Sequence, residues 1–318
     1  MRWRNRRYDR GAATIHRVGV PVISVGNLTL GGTGKTPLVE WLARWCGQRN
    51  IPVAIVSRGY GARAGAANDE ALELALKLPG VPHLQNPDRV AAAQQAIGQF
   101  SCRAIVLDDA FQHRRIARDL DIVLLDALEP FGFGHVFPRG TLREPLNGLR
   151  RADVVALSRA DMLDPAARLA IRRQVEQLAP QAIWLEVRHA PQMLLSSSGE
   201  QQSLESLRDR PVAAFCGIGN PAGFRHTLSE GGYKLAGFRE FPDHHAYMPH
   251  DIESLAQWAK QCGAEAVICT QKDLVKLKVD RLGALPLWAV GIDLEILAGQ
   301  EDFERRLAAT IASSNVNI

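Results

Sequence analysis

The stretch VISVGNLTLGGTGKTPLVEWLA, residues 22–43, decides the fold class. An apolar run ends in a glycine-rich turn, and Lys35-Thr36 closes that turn before a helical pattern. Leu38, Trp41, Leu42 and Trp45 recur at i, i+3, i+4 and i+7, the spacing of one buried helix stripe. Pro37 suits the first turn, where its missing N–H is harmless. The order strand, glycine turn, helix is that of a phosphate-binding loop. The full pattern is G-x-x-x-x-G-K-[ST]. Its end is intact in Gly34, Lys35 and Thr36, whereas Thr29 stands at the first glycine position. The physics survives this change. Gly31, Gly32 and Gly34, around Thr33, let backbone N–H groups turn inward without Cβ obstruction. The helix start adds its positive end. Residues 31–36 are therefore expected to hold a nucleotide polyphosphate, with Lys35 reaching the β- and γ-oxygens and the Thr36 hydroxyl ligating Mg²⁺.

Outward from this stretch, IPVAIVSRG (51–59), RAIVLDDA (103–110), DIVLLDA (121–127) and DVVALSRAD (153–161) read as further strands. They are almost continuously apolar, as in a parallel sheet covered on both faces. A helix is expected from Asp69 to Leu78, with Asn68 as N-cap and acids in its first turn. AIVLDDAFQH supplies the carboxylates that a phosphate loop needs for its metal. Asp108 or Asp109 is expected to hold Mg²⁺ directly or through water. SRAD (158–161) follows a strand where P-loop GTPases carry a guanine reader. Ser158 and Arg159 match that pattern poorly, and Asp161 is read as the cap of a following helix.

Around 181–205 the texture changes to two strands joined through a proline turn, and parallel-type runs then resume at 211–221, 264–273 and 286–296. The expected architecture is α/β: a P-loop NTPase-type, mostly parallel sheet flanked by helices, with a second, smaller α/β domain. The domains are placed at 1–180 and 181–318, with a linking two-stranded segment near 181–205. With 318 residues, 46% hydrophobic and 23% charged, the chain has the composition of a globular α/β protein. Five widely spaced cysteines without a CxxC pair argue for reduced thiols rather than a disulfide framework or zinc site. No apolar run reaches the length of a membrane span. The net charge of +4 is unevenly placed, since MRWRNRRYDR alone holds five arginines. Such a segment can rest on an anionic membrane, touch nucleic acid, or be a solvated terminus.

The stretches VPVISVGNLTLGGTGKTP, SRGYG, NDEALELA, LDDAFQHRRIARDLDIVLLDA, FPRGTLREPLNGLRRADVV, FPDHHAY and TQKDLVKL, in this order, resemble the tetraacyldisaccharide 4′-kinases of lipid A synthesis. DDAFQH and GTLREPL are far more specific than the phosphate loop. The resemblance implies transfer of the ATP γ-phosphate to the 4′-hydroxyl of an acylated glucosamine disaccharide 1-phosphate, giving lipid IVA. It also implies a peripheral position on the cytoplasmic face of the inner membrane, and no nucleic acid as partner.

Residue by residue, the resemblance makes Asp69 the acid that activates the acceptor hydroxyl, and His244 of FPDHHAY its partner. His245 is the competing choice beside it. Asp108, Asp109 and Gln112 fall in the metal and phosphate region. Arg143 and Glu144 of LREP line the same cleft, Arg143 near anionic oxygens and Glu144 near the metal. Lys272 and Asp273 either contact nucleotide or merely end a strand. The leader before the first strand is short and basic where the family carries an apolar or amphipathic helix. Either membrane contact is mostly electrostatic, or the start is late and a helix is missing.

Overall fold

In the computed structural model, which describes residues 2–59 and 69–313, the opening stretch folds in the order its pattern dictates. After α1 (Arg2–Asp9), β1 (Val22–Asn27) enters the glycine turn and α2 (Lys35–Gln48) leaves it. There follow β2 (Val53–Ser57), α3 (Asp69–Lys77), β3 (His83–Gln85), α4 (Arg89–Phe100), β4 (Ala104–Asp108), β5 (Leu120–Asp126), β6 (Val154–Ser158), α5 (Pro165–Leu178) and β7 (Ile183–Leu195). These strands lie in the order β7-β6-β5-β1-β4-β2-β3, and all their pairings are parallel.

Both faces of this sheet are covered. On β1, Ile23 and Val25 pack with Leu38 and Leu42 of α2, while Val22 joins Val90 and Ala93 of α4 on the other face. That is why the strands read as unbroken apolar runs. The chain builds first to one side of β1 and then to the other, so the strand order reverses about it. At such a reversal the carboxyl ends of the strands open a crevice. In-register pairing sets Val25 opposite Asp108 and Asp126 opposite Ser158, which brings the ends of β1, β4, β5 and β6 to one edge.

The rest of the chain runs through β8 (Gln201–Gln202), β9 (Pro211–Cys216), α6 (Pro221–Glu230), β10 (Lys234–Glu240), α7 (Pro249–Gln261), β11 (Ala266–Thr270), α8 (Gln271–Leu277), β12 (Arg281–Leu282), β13 (Leu285–Ala298) and α9 (Gln300–Ser313). The chain divides into two units, Met1–Arg188 with Leu294–Ile318, and His189–Asp293. In the second unit β10, β9, β11 and β13 form parallel neighbours, with their own core around Phe215, Leu255 and Ile268.

Three expectations are corrected. The proline turn near residue 191 does not exist: Pro191 lies inside the single strand β7, past its ladder with β6, which ends at Val187. The two-residue β8 pairs antiparallel with the end of β7, at Leu194 and Leu195. Second, the final helix does not belong with residues 181–293. Phe303 and Leu307 of α9 are wholly buried in the core beneath α2, where Phe303 stacks on Trp41 at 5.4 Å. Third, Asp161 sits in a short 3-10 turn, and Asp164 is the residue that caps α5. The cap expected of Asn68 lies outside the described residues.

Candidate phosphate-transfer site

The glycine turn takes its shape from two left-handed glycines, Gly31 (φ 103°) and Gly34 (φ 79°), the second of them the N-cap of α2. A side chain would strain both positions. The outer limb of the turn is stapled to residues 141–143. Leu30 donates its N–H to the Thr141 carbonyl at 2.7 Å, and Arg143 donates to Leu28 at 2.6 Å. Thr29, standing where the glycine pattern fails, forms a β-bridge with Leu142. That pairing carries Arg143 to the mouth of the loop.

Asp108 closes β4 and is buried, whereas Asp109 adopts φ 51° and is half-buried. Beyond it the chain crosses tightly over β1: a Cβ at Gly26 would meet Phe111 at 2.6 Å. Asp109 Oδ1 lies 3.3 Å from Lys35 Nζ. Arg143 Nη1 donates to both Asp109 oxygens, at 2.7 and 2.9 Å. Burial alone would raise the Asp109 carboxyl, but Lys35 and Arg143 outweigh it and hold the group at about 2. Asp109 is thus ionised throughout the physiological range.

Gln112 Nε2 donates to the Asn27 carbonyl at 2.9 Å and to Glu144 at 3.1 Å. Glu144 does not face an opening. It is only 1% exposed and also accepts from Asn5 at 2.7 Å and Arg151 at 2.8 Å. Its expected place beside the metal gives way to that of a brace joining α1, Gln112 and Arg151.

A cavity of about 620 Å³ opens beside Asp109. Its polar lining includes Arg4, Arg58, Arg89, His113 and Arg143, and Leu30 and Phe137 form part of its apolar side. Burial lowers the Arg89 guanidinium from its ordinary value, while Asp109 and Asp108 raise it. His113 is pushed down to about 4, first by burial and then by Arg89, Arg118 and Arg115, so it is neutral at pH 7. Arg58, Arg89 and His113 were not among the expected site residues. Arg58 and His113 lie inside the specific stretches SRGYG and DDAFQH, whereas nothing in its local pattern marks Arg89.

The oxygen donors at this edge suit a hard cation. Thr36 is buried at the start of α2, and Asp108 and Asp109 end the neighbouring strand. Among the described residues no cluster of three or more His, Cys, Asp or Glu side chains could hold a metal ion. Mg²⁺ commonly takes one or two carboxylates and completes its shell with waters and phosphate oxygens, and this donor set fits that habit.

In the second unit the two histidines of FPDHHAY separate. His245 packs on Phe241 at 4.7 Å and on Tyr247 at 5.0 Å, with Nε2 3.1 Å from Asp251. His244 adopts φ 60°, is half-exposed, and its Nε2 lies 3.9 Å from Asp243. Asp273 is fully buried and accepts from the Gly217 N–H, Tyr247 and Thr270. Its carboxylate is used to hold Gly217, Tyr247 and Thr270 together. Asp69 is the first residue of α3, in the first unit, and His244 lies in the second. Among the expected residues, Lys35 and Arg143 both contact Asp109, and Gln112 contacts Glu144.

The same arrangement of elements recurs in known proteins. A family model described as tetraacyldisaccharide-1-P 4′-kinase matches residues 1–312. A tetraacyldisaccharide 4′-kinase of Anaeromyxobacter sp. (strain K) is 43% identical over 96% of this chain and 86% of its own length. One from Desulfatibacillum aliphaticivorans is 39% identical over 95% and 88%. A crystal structure of LpxK from Aquifex aeolicus in complex with ATP superposes with a TM-score of 0.75 at 29% identity, covering 98% of this chain and 94% of that one. By its loop, its carboxylates and these relatives, the chain belongs to the tetraacyldisaccharide 4′-kinase family.

Proposed function

We propose that Lys35, Thr36, Asp108, Asp109 and Arg143 carry phosphoryl transfer from ATP to the 4′-hydroxyl of a tetraacyldisaccharide 1-phosphate, giving lipid IVA. The enzyme is an ATP-dependent kinase of lipid A synthesis. The observation that carries the residue assignment is the contact of Asp109 with both Lys35 and Arg143 at the edge of a cation-lined cavity. Backbone N–H groups of residues 31–36 hold the polyphosphate, and Lys35 and Arg143 face its terminal oxygens. Thr36 and the 108–109 carboxylates would hold Mg²⁺, and the ion when bound would supply positive charge to the γ-phosphoryl oxygens. Asp69 accepts the proton of the sugar hydroxyl, and His244 is the second residue assigned to that step. The choice of His244 follows the resemblance of FPDHHAY; the ring of His245 packs on Phe241 and Tyr247 and faces Asp251. Arg58 and Arg89 suit the acceptor's own phosphate, and neutral His113 adds a hydrogen-bonding group without further charge.

The acceptor is a lipid, so the protein works as a peripheral protein on the cytoplasmic face of the inner membrane. No helix among the described residues is long and apolar enough to cross a membrane. Support for surface contact comes from α1, whose Arg4, Arg6 and Arg7 are exposed, and from exposed Trp3, Phe133 and Phe137. The test is incubation with γ-labelled ATP, Mg²⁺ and a tetraacyldisaccharide 1-phosphate. Label on the 4′-oxygen, lost in Lys35→Ala, is expected. Absence of label, or equal labelling by Lys35→Ala, would remove the reading.

A further inference from the structure

The arginine of SRAD has no part in the reaction just described, yet it is tied to the phosphate loop. Arg159 directly follows β6, adopts φ 58°, and is only 6% exposed. Its Nε donates to Asp126 Oδ1 at 3.1 Å, and its Nη2 donates to Asp126 Oδ2. The same Nη2 donates to the Gly32 carbonyl at 2.9 Å. Asp126 ends β5 and stands in register with Ser158, so paired strands fix both the arginine and its anchor.

This geometry constrains one peptide group of the loop. Gly31 and Gly32 leave that stretch free to rotate unless something holds it. In a trans peptide the N–H points opposite to the carbonyl. With the Gly32 carbonyl held toward Arg159, the Thr33 N–H is directed away from Arg159. We propose that Arg159, anchored by Asp126, is a positioning residue for the nucleotide: it holds the Gly32 carbonyl and thereby aims the Thr33 N–H at the polyphosphate. Its positive charge is matched by Asp126, so the effect is one of orientation more than of field. The rigid guanidinium fork is essential, since it must reach two oxygens of Asp126 and the carbonyl together. A guanidinium engaged in this way does not serve as a base reader, which is the role its place after β6 suggested. The inference rests on residues 31–36 holding the phosphates.

The test is steady-state kinetics and ADP titration calorimetry on the full chain carrying Arg159→Gln, Arg159→Lys or Asp126→Asn, beside Lys35→Ala. Arg159→Gln is expected to raise the ATP KM and the ADP Kd about tenfold, the size of one lost charge-assisted hydrogen bond. The acceptor KM and the kcat at saturating ATP should change less than about threefold, because the lost orientation acts on nucleotide binding. Arg159→Lys should recover only part of the affinity, and the double variant with Asp126→Asn should be no worse than the poorer single variant. Unchanged ATP KM and ADP Kd in Arg159→Gln would overturn the proposal. So would an equal loss in acceptor KM and kcat, which would mark a merely structural role. If Arg159→Gln does not fold, Asp126→Asn decides by the same criteria. Lys35→Ala separates the two levels: if it retains full turnover and ATP affinity, the phosphate-loop reading itself fails. If it is inactive while Arg159→Gln is normal, only the positioning role fails.

Discussion

At the scale of single residues, the site is governed by charge matched at short range. Lys35 and Arg143 hold Asp109 at about 2, so its ionised form persists far below neutrality. Arg143→Ala should raise the Asp109 pKa toward the ordinary carboxylate range, a shift that carbon NMR of labelled aspartate would read. Lys35→Ala should lower turnover about a hundredfold or more in a folded protein, since one preorganised donor to a transition-state oxygen carries that much. Asp69→Ala should lower kcat about a hundredfold and leave the ATP KM unchanged, as expected for a proton acceptor; an unchanged kcat would dismiss it as the base.

His113 makes a pH prediction. Its folded value of about 4 lies below the ordinary value of about 6.5, so the unfolded chain binds the extra proton first. Stability from this group is therefore complete above about pH 6.5, falls as pH drops toward 4, and is constant below. Thermal unfolding between pH 7 and 4.5 should show a smaller loss for His113→Asn than for the parent chain.

At the scale of elements, α2 and α3 are joined by buried charge. Lys77 of α3 lies 2.9 Å from Glu40 of α2 and 3.4 Å from Glu73, and Glu40 also meets Arg44 at 2.6 Å. The helix that begins at Lys35 is thereby fixed to the helix that begins at Asp69. Removing one partner leaves a buried carboxylate less compensated, so Lys77→Met should cost about 3 kcal/mol or more in denaturant unfolding. Capping gives a smaller effect. Asp88 accepts from the N–H groups of Val90 and Ala91 at the start of α4, and Asp88→Ala should lower the denaturant midpoint less than Lys77→Met does.

At the scale of the whole molecule, charge and exposed aromatics suit a surface of lipid. The protein should sediment with vesicles containing anionic lipid and much less with neutral ones. Binding should weaken as salt shortens the screening length, which is about 8 Å at physiological ionic strength. Phe133, 67% exposed, adds apolar contact, so Phe133→Ser should reduce vesicle binding while activity on detergent-dispersed acceptor is kept. Equal binding to neutral and anionic vesicles would show that the arginines of α1 do not drive it.

The local pattern alone determined the strands around β1, the glycine turn, the α2 stripe and the pairing of a phosphate loop with an acidic strand end. Each depends on neighbours a few residues apart, where periodicity, glycine freedom and helix polarity act directly. Packing between distant segments decided the rest. Glu144 became a brace because Asn5, Gln112 and Arg151 converge on it, and Asp273 became a structural acceptor because Gly217 and Tyr247 reach it. Pro191 passed for a turn because its place beyond the β6 ladder is invisible locally. Arg89 gave no readable signal and Arg159 only a poor match to a guanine reader, since the carboxylates and carbonyl that define their surroundings come from other strands and loops. A sequence fixes what each short segment prefers, but the partner of a buried charge is chosen by the fold, because only folding brings it within a few ångströms.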